Sequence, residues 1–309
     1  MDVPKKFRFA VFNFYLRMFK DLDLTKFTGS LLRGIFGSCF KKLVCIRKTE
    51  CENCILRKHC VYSYIFEACT GEKVKHLPQP FVMELPSYTG VISAGDILQL
   101  KLILIGDAIK FLPYFICVFE DMGNRGILRE KITFSVESVE NVKQNKALVA
   151  YERKSPFIPD KLLLYTFKDF LEEDVKKLRI KFLTPIRIKF QKQILMESEK
   201  MDFPLFIRNL LRRLYLLSLQ YCGEEWQIPS YLLEKAKGVN LTFRNLKWKE
   251  LVRYSKRQRM GMKLGGFVGE MGFEGDLAPF LPYLRVGEYI HVGKATSFGH
   301  GKYKIEILP

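Results

Sequence analysis

The chain has 309 residues, enough for about two domains, and its 51 lysines and arginines against 33 aspartates and glutamates leave a formal charge of +18. Such an excess repels itself unless a polyanion or solvent screens it, so composition favours nucleic acid as the partner over a merely basic surface. The longest nearly apolar run, residues 111–119, is too short to span a bilayer. Without a signal-peptide cleavage pattern, lipidation signal or basic amphipathic helix, the sequence predicts a cytoplasmic protein that binds no membrane.

The first half of the chain predicts the order strand, helix, strand, strand, helix, strand. Residues 6–18 alternate with a period of two, which is typical of a strand. Residues 29–44 repeat apolar side chains at three- and four-residue spacing, which is typical of a helix. The remaining predictions are strands in 79–86, 95–106 and 131–140 and a mixed apolar segment in 107–123.

The polar face of the first predicted helix carries Arg33, Gly37 and Lys41 at four-residue spacing. Glycine in mid-helix costs about 1 kcal/mol relative to alanine, so close approach of a partner would explain Gly37. Packing against a sheet, with Arg33 and Lys41 solvated, is the alternative.

Four cysteines follow this helix in an insertion at residues 45–60, spaced Cys-x5-Cys-x2-Cys-x5-Cys: Cys45, Cys51, Cys54 and Cys60. In a cytosolic chain, four thiolates at this spacing predict a structural Zn²⁺ site. An iron–sulfur cluster would use the same ligands, and four free thiols are the third possibility.

The second half repeats the element order of the first. It predicts a strand over 177–190, a helix over 203–223, strands within 241–258 and 262–275, a short helix in 276–290 and a closing strand in 302–308. Two copies of this order predict an α+β protein of two tandem ferredoxin-like domains, residues 1–155 and 156–309, with the boundary in the charged stretch 154–160.

Two features of the second half predict contact with a phosphate backbone. Read as a strand, residues 246–257 place one basic face opposite an apolar one, and that face carries Lys247, Lys249, Arg253, Ser255 and Arg257. A solvated face is the alternative to phosphate contact, and a helix over residues 246–254 is the alternative to a strand. The glycine-rich loop 293–301 lies between Lys294 and Lys302, shortly after His291, and lacks the Gly-Lys-Ser/Thr ending of a mononucleotide loop.

These motifs resemble a known family. Arg253-Tyr254-Ser255-x-Arg257-Gln258, Gly265-Gly266-Phe267-x-Gly269, His291-x-Gly293-Lys294 and Phe298-Gly299-x-Gly301 are similar to the C-terminal domain of the CRISPR-associated RAMP endoribonucleases that process precursor CRISPR RNA. "LLRGIFGSCFKKLVC", the cysteine cluster and "VYSYIFE" resemble the first domain of one branch of that family.

The resemblance implies cleavage of CRISPR repeat RNA without a metal or other catalytic cofactor. The 2′-hydroxyl upstream of the scissile bond attacks phosphorus and leaves a 2′,3′-cyclic phosphate and a 5′-hydroxyl. The predicted catalytic residues are His291 as acid or base, Lys294 as the cation that stabilises the phosphorane, and Arg33. The predicted RNA-binding residues are Lys41, Lys247, Lys249, Arg253, Ser255, Arg257, Gly293, Ser297, Gly299, Gly301 and Lys302.

One departure from the family pattern concerns the first helix, where many members carry the catalytic histidine. Residues 29–44 contain no histidine. Either His291 compensates, or cleavage proceeds by positioning and cationic stabilisation through Arg33 or Lys41, or the protein binds RNA without cutting it. The last possibility predicts a non-catalytic RNA-binding subunit of a CRISPR effector complex.

Overall fold

Two units of helices and antiparallel strands make up the chain in a computed structural model. The first unit comprises residues 8–165 and 220–222, and the second comprises residues 1–7, 166–219 and 223–309. The described residues are 2–25, 28–47, 50–67, 77–87, 90–155, 158–170, 175–255 and 260–309, with the backbone alone at 252–255 and 260–262. No helix in these ranges combines the length and apolar character that crossing a bilayer requires.

The first unit is built on a strand that alternates as the sequence predicts. Its central sheet has the order β3-β5-β1-β6-β7, and the neighbouring strands run antiparallel. The elements are β1 (Arg8–Met18), β2 (Leu22–Asp23), α1 (Gly29–Val44), β3 (Phe81–Glu84), β4 (Val91–Ile92), β5 (Ile97–Ile105), α2 (Leu112–Arg125), β6 (Phe134–Lys143) and β7 (Lys146–Glu152), and β8 (Tyr165–Thr166) lies at the border of the two units.

Aromatic side chains fill the space between this sheet and its two helices. The Phe36 ring of α1 lies 5.2 Å from that of Phe115 and 5.1 Å from that of Phe119, both on α2. Phe119 in turn lies 4.8 Å from Phe14 of β1. Rings at these separations bury large apolar areas in favourable tilted or offset contacts, so they fix both helices on one face of the sheet.

The second unit pairs its strands in the same way. Its main sheet has the order β12-β15-β9-β16. When the main strands are counted within each unit, this order is second, third, first and fourth, which is also the order of β3-β5-β1-β6 in the first unit. The elements are β9 (Lys177–Ile186), β10 (Lys189–Phe190), β11 (Gln193–Ile194), α3 (Phe203–Tyr221), α4 (Ser230–Lys237), β12 (Asn240–Lys249), β13 (Val252–Ser255), β14 (Met260–Lys263), β15 (Gly266–Glu274), α5 (Leu281–Ile290) and β16 (Tyr303–Leu308).

This pairing confirms the predicted α+β fold of tandem ferredoxin-like units. One local prediction was wrong, and one element was not predicted. The strand expected over 177–190 ends at Ile186, because the Arg187 carbonyl accepts a hydrogen bond from the Lys294 amide at 2.8 Å and the chain turns there. Helix α4 was missed, since only Leu232 and Ala236 bury its short apolar face.

Candidate functional site

The glycine-rich loop of the second unit runs from His291 to Lys302 and joins α5 to β16. His291 caps the C-terminus of α5 with a φ of 62° and donates its amide hydrogen to the Gly287 carbonyl at 2.8 Å. Its imidazole is completely buried, and Nδ1 lies 3.0 Å from the carbonyl oxygen of His300. Because a carbonyl only accepts, Nδ1 carries the proton in this hydrogen bond.

Two of the predicted glycines are required by close backbone approach. Gly293 has a φ of 88°, and a Cβ there would lie 2.5 Å from the Arg187 carbonyl oxygen. Gly301 has a φ of 71°, and a Cβ there would lie 1.8 Å from the Val292 carbonyl oxygen. Residues with side chains are excluded at both places by the left-handed backbone and by the neighbouring chain.

The loop is braced on the end of β9. The Thr184 hydroxyl donates to the Gly299 carbonyl at 2.8 Å and accepts from the Lys302 amide at 2.9 Å, while the Gly301 amide donates to the Pro185 carbonyl at 3.0 Å. Sequence reasoning missed Thr184, because no motif surrounds it. Its hydroxyl serves as both donor and acceptor, which holds the second turn of the loop against the sheet.

Lys294 lies near the start of this loop, and its side chain is half-buried. Burial lowers the pKa of its ammonium group, and the positive charges of Lys189, Arg212 and Arg213 lower it further. Arg213 is itself buried and donates from Nε to the Ile290 carbonyl at 3.1 Å. Sequence reasoning missed these three cations, because they lie in other segments of the chain.

His300 lies near the end of the loop and is 8% exposed. Burial lowers its pKa to about 4, and the charges of His291 and Arg187 act in the same direction. Within the described part of the chain, its Nδ1 has no hydrogen-bond partner. The ring is therefore neutral at physiological pH and stays within the loop's interior.

The other predicted RNA-binding residues of the second unit differ in exposure. Lys247 and Lys249 are exposed on β12, where Leu246 and Trp248 alternate with them as half-buried side chains. Ser297 is buried and Lys302 is half-buried. Arg253 and Ser255 belong to β13, of which only the backbone is described, and Arg257 lies outside the described residues.

Helix α1 of the first unit carries Arg33 and Lys41 on aromatic rings. The Arg33 guanidinium lies 4.7 Å from the centroid of Phe66, and the Lys41 ammonium 5.7 Å from that of Tyr62. The two rings stack 4.9 Å apart. Gly37 is buried beneath Arg33, so that a Cβ there would lie 2.9 Å from the Arg33 Nη1. This packing accounts for Gly37 without a partner.

The four cysteines of the insertion do not form the predicted metal site. Burial raises the pKa of the Cys51 thiol; Lys41 opposes this rise, and Glu67, Cys45 and Cys60 add to it. Among the described residues, which include Cys54 and the other three cysteines, no three His, Cys, Asp or Glu side chains are placed to hold a metal ion. Zinc and an iron–sulfur cluster are therefore not supported, because sequence spacing does not impose the tetrahedral convergence that these ligands need.

The fold defines a class of protein. Two tandem ferredoxin-like units of this kind are shared with a solved Cas6 structure. Residues 7–161 match the family model described as AF_1859 N-terminal domain, and residues 180–303 match that of the CRISPR-associated endoribonuclease Cas6.

Individual proteins agree with these matches. An uncharacterized protein of Archaeoglobus fulgidus is 25% identical over 294 residues, which cover 93% of this chain and 94% of that protein. A Cas6 product complex superposes with a TM-score of 0.58 at 16% identity, covering 96% of this chain and all of the other. The chain belongs to the CRISPR-associated RAMP-type endoribonucleases.

A larger assembly also contains a similar chain. In a partial Cas6-RT-Cas1–Cas2 complex, the matching chain has a TM-score of 0.60 at 12% identity. The match covers 100% of the present chain and 47% of that one, so the present chain spans about half of its length.

Proposed function

We propose that this protein is an endoribonuclease that cuts CRISPR repeat RNA without a metal ion. The 2′-hydroxyl next to the scissile bond would give up its proton and attack phosphorus. The bond from phosphorus to the 5′-oxygen would break, and that oxygen would take up a proton. The products would be a 2′,3′-cyclic phosphate and a 5′-hydroxyl. The match of residues 180–303 to an endoribonuclease family supports the RNA substrate.

The observation that carries the proposal is the position of Lys294. A half-buried ammonium group lies on a loop fixed by Gly293, Gly301 and Thr184, and the charges that act on it are those of other cations. An anion bound there would relieve this repulsion. Charge that develops on a phosphorane is stabilised most by cations that are already in place and partly shielded from water.

The structure supports a different role for His291 from the one expected of it. An imidazole with no exposed surface cannot reach an RNA hydroxyl in this conformation, whereas its hydrogen bond to the His300 carbonyl joins the two ends of the loop. We therefore assign His291 to positioning Lys294. For Arg33, whose guanidinium lies on Phe66 in the first unit, the predicted catalytic role stays a prediction.

The decisive experiment incubates the full chain with its repeat RNA in excess EDTA and analyses the product ends. A 2′,3′-cyclic phosphate is expected, together with complete loss of cutting when the nucleotide at the cut carries a 2′-deoxy sugar. Cutting that survives the 2′-deoxy substitution, or that requires a divalent ion, contradicts the proposal.

The second candidate function is RNA binding without cleavage, as a subunit of a CRISPR effector complex. Two observations favour it: residues 29–44 contain no histidine, and His291 is buried. The presence of a similar chain in a Cas6-RT-Cas1–Cas2 complex supports assembly with other proteins. Repeat RNA that is bound tightly and recovered intact after long incubation would select this alternative.

A further inference from the structure

Four cations from three separate segments of the second unit come together beside the glycine-rich loop. Lys294 belongs to the loop, Lys189 to β10, and Arg212 and Arg213 to α3. Two main-chain contacts hold these segments together. Arg213 donates to the carbonyl of Ile290, at the end of α5, and the Lys294 amide donates to the carbonyl of Arg187, two residues before Lys189.

The charges that act on Lys294, the central member of the cluster, are all positive. Elsewhere in the unit, Lys235 lies 2.8 Å from Asp276 and Arg179 lies 3.4 Å from Glu270. Burial and three neighbouring cations lower the pKa of Lys294, which means that its charged form is disfavoured where it stands. An arrangement of this kind is stabilised by an anion.

The side chains differ in exposure. Arg213 is 6% exposed and Lys294 is half-buried, whereas Lys189 and Arg212 are exposed to solvent and form the rim of the cluster. Guanidinium groups present paired N–H donors that match two oxygens of a carboxylate or of a phosphate, and ammonium groups add point charges. Four cations at one place favour an anion that carries more than one negative charge, so this combination fits a phosphate better than a singly charged carboxylate.

We infer that Lys189, Arg212, Arg213 and Lys294 form a phosphate-binding subsite of the second unit. The identity of the ligand as an RNA backbone phosphate rests on the proposed function, whereas the preference for phosphate does not. Arg212 and Lys189 are positioning residues that hold the RNA beside Lys294.

The first test measures phosphate binding directly. Thermal unfolding of the full chain is followed in inorganic pyrophosphate and in acetate at equal ionic strength, and the pKa of Lys294 is measured by pH-dependent acylation and mass spectrometry. Pyrophosphate is expected to raise both the Tm and the Lys294 pKa, with acetate giving neither effect. Equal Tm shifts in the two salts, or no shift in either, overturn the inference.

Variants at the exposed rim avoid damage to the fold. Arg212→Gln and Lys189→Gln should each reduce the pyrophosphate effect on Tm and raise the pKa of Lys294 in the absence of ligand. Arg208→Gln is the matched control, because Arg208 is exposed on the same helix and does not contribute to the pKa of Lys294. An equal loss with Arg208→Gln would show general attraction by the +18 chain and would overturn the inference.

The second test uses repeat RNA and distinguishes the RNA backbone from free phosphate. Removing one cation that neutralises a phosphate should reduce the salt dependence of binding, by about 0.7 in the log–log slope for a single strand. Arg212→Gln and Lys189→Gln are expected to show this reduction, and Arg208→Gln is not. RNA cleavage with unchanged slopes contradicts the subsite and leaves the proposed function standing. Pyrophosphate binding without any cleavage contradicts the proposed function and leaves the phosphate subsite standing.

Discussion

His291 Nδ1 lies 3.0 Å from the main-chain carbonyl oxygen of His300, so a buried imidazole joins the two ends of the glycine-rich loop. Between these ends the chain makes two left-handed turns, at Ala295 and Gly299, and presents Lys294. A hydrogen bond across the base of such a loop reduces the number of conformations available to it. We therefore expect the orientation of the Lys294 ammonium group to depend on the buried His291.

Replacing His291 by alanine should lower stability by about 2–3 kcal/mol, because the His300 carbonyl loses its buried donor and a cavity remains. Cleavage should slow by the same factor at every pH. His291→Asn, whose amide can donate to the same carbonyl, should recover part of both losses. If His291 were the acid or base, its replacement would remove one limb of the pH–rate profile instead, and asparagine would not rescue it.

Lys294→Ala is expected to slow cleavage without lowering the stability of the fold. Removing a half-buried ammonium group from three neighbouring cations relieves repulsion, so the Tm should be unchanged or higher. Single-turnover cleavage should fall by about 100-fold, in the range found when one group that stabilises transition-state charge is removed. A loss of stability with normal cleavage would contradict the role of Lys294.

The loop's glycines can be tested against a glycine that has space around it. Gly301→Ala places a Cβ 1.8 Å from the Val292 carbonyl oxygen at a φ of 71°, and it should cost more than about 3 kcal/mol. Gly223 has a φ of 64° with no atom within 4 Å of an added Cβ, so Gly223→Ala should cost only about 1–2 kcal/mol. Equal losses in urea unfolding would show that backbone conformation alone explains Gly301.

His300 should make stability depend on pH in mildly acidic solution. Its pKa falls from 6.5 to about 4 on folding, so the unfolded chain binds the proton more tightly and stability is lost as the pH falls from 6.5 to about 4. The full effect is roughly 3 kcal/mol, complete below the folded pKa. Urea unfolding of the wild type and of His300→Gln measures it as the difference between two pH curves. Parallel curves would contradict the buried neutral ring.

The contact between Arg33 and Gly37 predicts a coupling that a double-mutant cycle can measure. Alanine at position 37 gains about 1 kcal/mol of helix propensity over glycine, but its Cβ displaces the Arg33 guanidinium from Phe66. Gly37→Ala should therefore be nearly neutral in the wild type and stabilising by about 1 kcal/mol in an Arg33→Ala background. Additive effects would mean that Arg33 does not lie over Gly37 in solution.

Local periodicity predicted much of the fold from the sequence. The helix expected over 29–44 occupies those residues, and the strand expected over 6–18 occupies Arg8–Met18. Both segments bury one face of a regular element, so their apolar residues repeat at the spacing typical of that element. Helix α4 is too short to show such a repeat. The turn at Arg187 depends on a hydrogen bond from the distant Lys294, which no local spacing predicts.

The basic charge, the order of elements and the glycine-rich loop with Lys294 could all be predicted from the sequence, because composition, periodicity and conformational freedom are properties of neighbouring residues. Three relationships required the folded chain: His291 is buried, no three of the described His, Cys, Asp and Glu side chains are placed to hold a metal ion, and the charges of Lys189, Arg212 and Arg213 act on Lys294. The cations whose charges act on Lys294 come from segments far apart in the chain. Their positions are fixed by the packing of α3, β10 and the loop in the second unit, which leaves no pattern of spacing in the sequence.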